Sequence, residues 1–240
     1  NSYNYCIEVK WMEQTLKITN VLSDPTRYYI YQHVTKQHNE VTVQDIADRF
    51  EIHPNVARLH LSKLEDINLL TSETKKTGKG GRPSRLYRLS DDVIQLHFPF
   101  RDYKLLSKIA IQTMMRLGEP GMEALYDTGK EFGKELIESN SNINITASFE
   151  EKLHILRNAA NVAGFSPVFQ PSDDQTQVHF QIFNCPFKEV AMSHPETICK
   201  MHSAFLKGMF SALFTDVELI ETDNMLNGCQ TCTYQANVTK

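Results

Sequence analysis

The sequence predicts an α+β protein: an N-terminal winged helix-turn-helix, then a mixed α/β domain whose helices precede a small sheet. Three observations carry this expectation. Helical patterns over residues 12–67 lead into two short β-like runs that flank a stretch of glycines and basic residues. The charge is split, with twelve Lys/Arg against nine Asp/Glu over 12–90 and twelve against nineteen over 91–240, within a net charge of −4. Four of the five cysteines fall in the last 56 residues. The plan that follows is a leader or expression remnant over 1–11, the winged helix-turn-helix over 12–90, a linker over 91–101 and the second domain over 102–240.

The first helix, 12–22, spaces Leu16, Ile18, Val21 and Leu22 at roughly helical intervals. Asp24 can cap the second helix and Pro25 suits its first turn. It runs to about Lys36, with Tyr28, Ile30, Tyr31 and Val34 available for the core. Thr42 can cap a short third helix that buries Ile46, Ala47 and Phe50. The chain breaks at Glu51-Ile52-His53, and Pro54 opens a fourth helix to about 67. There Ala57, Leu61 and Leu64, at i, i+4 and i+7, form one buried stripe. Leu69 to Thr71 and Arg85 to Leu89 read as strands. Between them, Lys75 to Pro83 sets glycines in a turn lined with basic residues, a hairpin wing.

Residues 91–101 read as a connector, followed by helices over 103–117 and 122–137 with Gly118-Glu119-Pro120-Gly121 between them. Ser139 to Thr146 is polar and Asn-rich, a loop. A helix over 149–163 ends at Gly164, and 178–183 alternates like a half-buried strand. A further helix covers 195–214, and strands are expected at 217–220 and 233–238. No internal repeat is present.

At 41% hydrophobic and 22% charged residues, the composition is that of a globular protein. No apolar run reaches membrane-spanning length, and no secretory signal pattern opens the chain, so a cytoplasmic location is expected. Met12 would make a natural start, and Cys6 is given no role. There is no phosphate-binding glycine loop, nucleophile elbow or metalloprotease helix motif, so an enzyme is not expected.

Six basic residues and no acidic one lie between Lys75 and Arg88, an anion-binding pattern. In a winged helix-turn-helix the second helix of the motif enters the major groove. Residues 54–67 would be that helix, offering Asn55, Arg58 and Ser62 to base edges. Lys63 and the wing residues Lys75, Lys76, Lys79, Arg82 and Arg85 would meet phosphates of a double-stranded operator. His53 and His60 are expected to cap or pack. The run His60-Leu61-Ser62-Lys63-Leu64-Glu65, then Leu69-Leu70, then Gly80-Gly81-Arg82-Pro83-Ser84-Arg85-Leu86-Tyr87-Arg88-Leu89 resembles the ArsR- and DeoR-like winged-helix repressors over about 12–90. One recognition helix reads few bases, so a homodimer is expected, with the apolar helices at about 12–22 and 102–117 as its interface.

Cys229 and Cys232 form a C-x-x-C pair on a turn led by Gly228, while Cys185 follows a strand and Cys199 lies on a helix. Thiolates suit zinc, copper(I) and iron–sulfur clusters. These residues alone leave open a zinc site, a cluster, separately packed thiols or a reversible Cys229–Cys232 disulfide. The segments Asn184-Cys185-Pro186-Phe187, Ile198-Cys199-Lys200-Met201-His202 and Gly228-Cys229-Gln230-Thr231-Cys232-Thr233-Tyr234 resemble the sensor domain of the SufR-type iron–sulfur repressors, which share the Gly-Arg-Pro wing. That resemblance implies a dimer with one cluster per subunit, 2Fe–2S or 4Fe–4S, whose state controls operator binding. The family has another cysteine about midway between the second and last, where this chain runs from Phe210 to Thr215; Cys229 is extra. The expected ligands are Cys185, Cys199 and Cys232, with Cys229 fourth and His202 or His194 as substitutes. The chain is thus expected to be a cluster-controlled repressor. The alternative is a winged-helix regulator that binds a small apolar effector, with its cysteines on structural zinc.

Overall fold

Asp24 accepts a hydrogen bond from the Arg27 N–H at 3.0 Å and Pro25 fills the next position, and these two residues start helix α2 (Pro25–Gln37). In the computed structural model, which describes residues 13–75, 84–96, 98–99, 101–140 and 147–239, α2 follows a first helix α1 (13–22). The chain divides into two compact units, residues 1–101 and 102–240.

In the first unit, Thr42 and Asp45 close a reciprocal cap on α3 (Val43–Phe50): the Asp45 N–H donates to the Thr42 hydroxyl at 3.1 Å, and the Thr42 N–H to the Asp45 carboxylate at 2.7 Å. His53 caps α4 (Pro54–Glu65), its Nδ1 accepting from the Asn55 N–H at 3.2 Å. The stripe Ala57, Leu61 and Leu64 is buried as its spacing predicts, and His60 is buried beside it. The wing strands β2 (Leu70–Lys75) and β3 (Ser84–Leu89) pair antiparallel from Leu70 opposite Leu89 to Lys75 opposite Ser84. A two-residue strand β1 (Val41–Thr42), absent from the sequence expectation, pairs with β3, giving the order β1-β3-β2. Ile18, Ile30, Val34, Ile46, Leu70 and Tyr87 complete this core. Tyr28, expected inside, is exposed, as is Leu16, because the buried faces of their helices are set by Ile30 with Val34 and by Ile18 with Val21.

The second unit begins with α5 (Tyr103–Arg116) and the long α6 (Glu119–Asn140). Its α7 (Phe149–Val162) carries a Ser148–Glu151 capping box. There follow β4 (Pro167–Pro171), β5 (Gln177–Ile182), the short α8 (Lys188–Ala191), α9 (Pro195–Ser211), β6 (Val217–Asp223), a 3₁₀ turn (Met225–Asn227) and β7 (Cys232–Val238). The sheet is antiparallel in the order β4-β5-β7-β6. β4 and α8 were not expected from the sequence, and α6 starts three residues earlier and ends three later than its pattern suggested. Phe169, Phe180, Phe210 and Tyr234 join sheet to helices in the core. α6 and α9 cross closely at glycines: a Cβ on Gly133 would collide with the Phe205 carbonyl, and one on Gly208 with that of Lys130. Among the described residues no helix is long and apolar enough to cross a membrane.

Candidate functional site

Burying Ala57, His60, Leu61 and Leu64 turns the other face of α4 outward. Asn55, Val56, Arg58, Leu59 and Lys63 are exposed there, and Ser62 is half-buried. Arg58 donates to the Asn55 side-chain oxygen at 3.1 Å, so the two expected base readers are held together. A groove of about 670 Å³ runs between the starts of α3 and α4 and the root of the wing, lined by Gln44, Pro54, Arg58, Thr74 and Arg85 among others. Free N–H groups at a helix start favour anions.

The wing basics divide. Lys76, Lys79 and Arg82 lie outside the described residues. Lys75 is ion-paired with Glu40 at 2.7 Å and Glu73 at 2.8 Å. Arg85 donates from Nη2 to both Glu65 carboxylate oxygens, at 2.9 and 2.7 Å, and from Nε to Ser72 at 2.7 Å, with its guanidinium 5.3 Å from the Tyr87 ring centre. Arg85 therefore ties the wing to the end of α4, a role that the sequence did not show because Glu65 is twenty residues away. Exposed pairs of this kind are worth only about 0–1 kcal/mol, so an arriving phosphate can compete for either cation. His60 packs, as expected: its Nδ1 stands 3.9 Å from Asp24, and burial holds its pKa below the usual value.

In the second unit the fold gathers cysteines from three segments. Cys185 follows β5, Cys199 lies on α9, and Cys232 opens β7, opposite Ile182 of β5. All of Cys185, Cys199, Cys229 and Cys232 are free thiols. Each of the three gathered sulfurs faces an N–H donor: the Phe187 backbone at Cys185, the Asn224 side-chain amide at Cys199 (3.5 Å) and the Met225 backbone at Cys232 (3.4 Å). Burial pushes the Cys185 thiol up to about 12, opposed by the Phe187 N–H and assisted by Cys232 and Cys199. Burial likewise raises Cys232, with Glu221, Cys199 and Cys229 adding to the rise. His202 reaches the same place, its Nδ1 3.8 Å from Cys185 Sγ, and burial holds its pKa down to about 4. Cys229 is exposed, 4.0 Å from an Asp223 carboxylate oxygen. His194 is the N-cap residue of α9.

Among the described residues, no three His, Cys, Asp or Glu side chains are grouped to hold one metal ion. The N–H donors at the three sulfurs favour their charged form, whereas the burial that raises Cys185 and Cys232 opposes it. N–H donors gain most from sulfurs that carry charge, and hydrogen bonds to sulfur are among the means by which proteins tune iron–sulfur clusters. A cavity of about 830 Å³ at the sheet end, where the apolar-effector alternative would place its ligand, is lined by Val217 and Val238 together with Asp174, Asp216, Glu218 and Asn237.

The helix-turn-helix domain family matches residues 22–73. No curated protein matches. Among solved structures, the phenol-responsive sensory domain of the transcription activator PoxR, with phenol, is similar at 16% identity and a TM-score of 0.44, over 75% of this chain and 89% of that one. PadR of Bacillus subtilis in complex with operator DNA is similar at 15% identity and a TM-score of 0.24, over 57% and 91%. A trafficking protein particle complex subunit 3 from Naegleria fowleri, covalently bound to palmitic acid, is similar at 15% identity and a TM-score of 0.39, over 57% and 97%. Likenesses this slight decide nothing about fold or function. The domain match, together with the capped α3, the exposed face of α4 and the wing, makes the first unit a winged helix-turn-helix and supports a DNA-binding transcription regulator.

Proposed function

We propose that this protein is a homodimeric, cytoplasmic transcription repressor whose operator affinity is set by an iron–sulfur cluster held by Cys185, Cys199 and Cys232. The observation that carries this reading is that Cys185, Cys199 and Cys232, after β5, on α9 and at the start of β7, each face an N–H donor. When bound, such a cluster supplies bonds that oxidation or iron shortage can break. The chain's part is to make those bonds matter. Cys185, Cys199 and Cys232 lie on separate elements, so a cluster bound to all three would tie the start of α9 to the paired strands β5 and β7, and its loss would remove that tie. A ligand shifts an equilibrium only by binding one arrangement better than another, and this site differs between the tied and released arrangements. On the DNA side, Asn55, Arg58 and Ser62 meet base edges; Lys63 and the wing meet phosphates.

The test is anaerobic reconstitution of the full chain with iron and sulfide, followed by operator binding with and without the cluster. Visible absorption that is lost in Cys185→Ser, Cys199→Ser and Cys232→Ser, with operator affinity that changes on cluster loss, is the expected result. A colourless protein with stoichiometric zinc, or an affinity indifferent to the cluster, overturns the proposal.

A further inference from the structure

Taking α4 as the base-reading helix proposed above, and independently of any cluster, we infer that its outward face reads a thymine in the major groove. Asn55 donates to the thymine O4, and Leu59, flanked by Val56, closes on the 5-methyl group.

The stripe Ala57, Leu61 and Leu64 sets the buried side of α4. At about 3.6 residues per turn, Leu59 falls nearly opposite that stripe, at the crest of the outward face. It is 55% exposed, and Val56, one turn earlier, is 42% exposed. Among the described residues, neither belongs to the core of this unit or to the side chains packed against it. Asn55 and Lys63 stand four residues before and after Leu59, and Ser62 three after, so polar and cationic side chains surround an apolar crest. The groove beside this face is lined by Arg58 and Arg85, which suits a polyanion rather than an apolar protein surface. Within the major groove, the apolar feature of a base edge is the thymine methyl group.

The hydrogen bond from Arg58 fixes what Asn55 offers. Arg58 Nη1 donates to Asn55 Oδ1 at 3.1 Å. A guanidinium has no acceptor, so the Asn55 atom that faces it is the oxygen, and the amide nitrogen lies on the side away from Arg58. Asparagine reads adenine through an acceptor and a donor together. With its oxygen held by Arg58, Asn55 is left with the donor. Thymine presents the matching pair, an O4 acceptor beside its methyl group. Asn55 and Leu59 are at i and i+4, neighbours on the helix surface at about 5–6 Å between Cβ atoms. Cytosine carries an amino donor where thymine has O4, and it has no methyl group. It would meet Asn55 donor to donor and leave Leu59 without a contact.

The experiment starts from sites recovered out of a random duplex library by the full chain, with and without reconstitution by iron and sulfide. A thymine common to those sites is replaced by deoxyuridine, which removes the methyl group and keeps O4. In a second duplex it is replaced by 5-methylcytosine, paired with guanine, which keeps the methyl group and exchanges O4 for an amino group. Deoxyuridine should weaken binding about fourfold, the effect of withdrawing one buried methyl-sized group. 5-Methylcytosine should weaken it about tenfold or more, within the range for a lost base contact. Leu59→Ala should bind the thymine and deoxyuridine sites equally and still reject 5-methylcytosine; Asn55→Ala should do the reverse. Both side chains are exposed, so circular dichroism and denaturation midpoints should match the wild type. Recovered sites without a common thymine, thymines that all tolerate deoxyuridine, or a Leu59→Ala variant with wild-type sensitivity to it overturn the thymine reading and leave base reading by α4 intact. If the library yields no preferred sequence in either condition, the assignment of α4 as the base-reading helix fails as well.

Discussion

Arg58 and Arg85 differ in what holds them. Arg58 is exposed on α4 and hydrogen-bonded to Asn55, whereas Arg85 is clamped between Glu65 and Ser72 at the wing root. Arg58→Ala should therefore reduce discrimination between operator and random DNA by about 1–3 kcal/mol, the usual range for one base-reading side chain. Arg85→Ala should weaken binding to both DNAs alike, because it loosens the wing and leaves Glu65 facing phosphate. Fluorescence anisotropy with both DNAs decides this, and a loss of specificity confined to Arg85→Ala would reverse the roles of helix and wing. A second consequence at this scale concerns pH. Burial holds His60 below its usual pKa, against a smaller opposing pull from Asp24. The folded form thus binds the proton more weakly than the unfolded chain. The stability that follows is present above the unfolded value of 6.5 and is lost as pH falls through the lower folded value. His60→Gln should make the fall in denaturation midpoint between pH 7 and pH 5 less steep. An unchanged slope would show that His60 titrates normally.

Among the elements, the crossing of α6 and α9 is the tightest constraint, because Gly133 and Gly208 bring backbone against backbone. Neither glycine needs a left-handed conformation; what each needs is the absence of a Cβ. Gly133→Ala should cost at least the roughly 1–3 kcal/mol typical of overpacking and, on the iron–sulfur function proposed above, should lower iron content as well, since α9 carries Cys199. Urea denaturation and iron analysis check both, and a stable, fully loaded variant would mean that the helices can slide apart freely. The elements that were legible in the sequence are those with a strong local cause: the caps at Asp24, Thr42 and His53, the stripe of α4, and the alternation of β5. β1 has two residues and α8 four, too few for any period to show, and β4 is bounded by Pro167 and Pro171, which read as breaks. The same limit applies at the sites. Cys185, Cys199 and Cys232 stood out by residue type. His202 was marked only by lying three residues after Cys199, and its pairing with Cys185 depends on Phe165 and Phe187, which no local pattern joins to it.

At the scale of the whole molecule, the question is what covers α5. None of its residues is buried, and Leu106 is 61% and Ile109 54% exposed, with Leu105 and Leu117 also turned outward. Contiguous exposed apolar surface of this kind marks an interaction site more often than a solvated face. A second copy of the chain is the occupant that DNA reading calls for, because one α4 contacts too few bases for useful specificity and two-fold symmetry pairs it with a second half-site. The expected interface includes α5, one of the two helices that the sequence pattern singles out. Sedimentation at micromolar concentration should show a dimer in the wild type. Leu106→Glu combined with Ile109→Glu should shift it to a monomer and lower operator affinity at least tenfold, with circular dichroism unchanged because neither side chain belongs to the described core. Affinity for random DNA should fall much less, since phosphate contacts by a single copy survive. A wild-type monomer, or a double variant that still dimerises and binds its operator normally, would mean that α5 is covered by something other than a second copy.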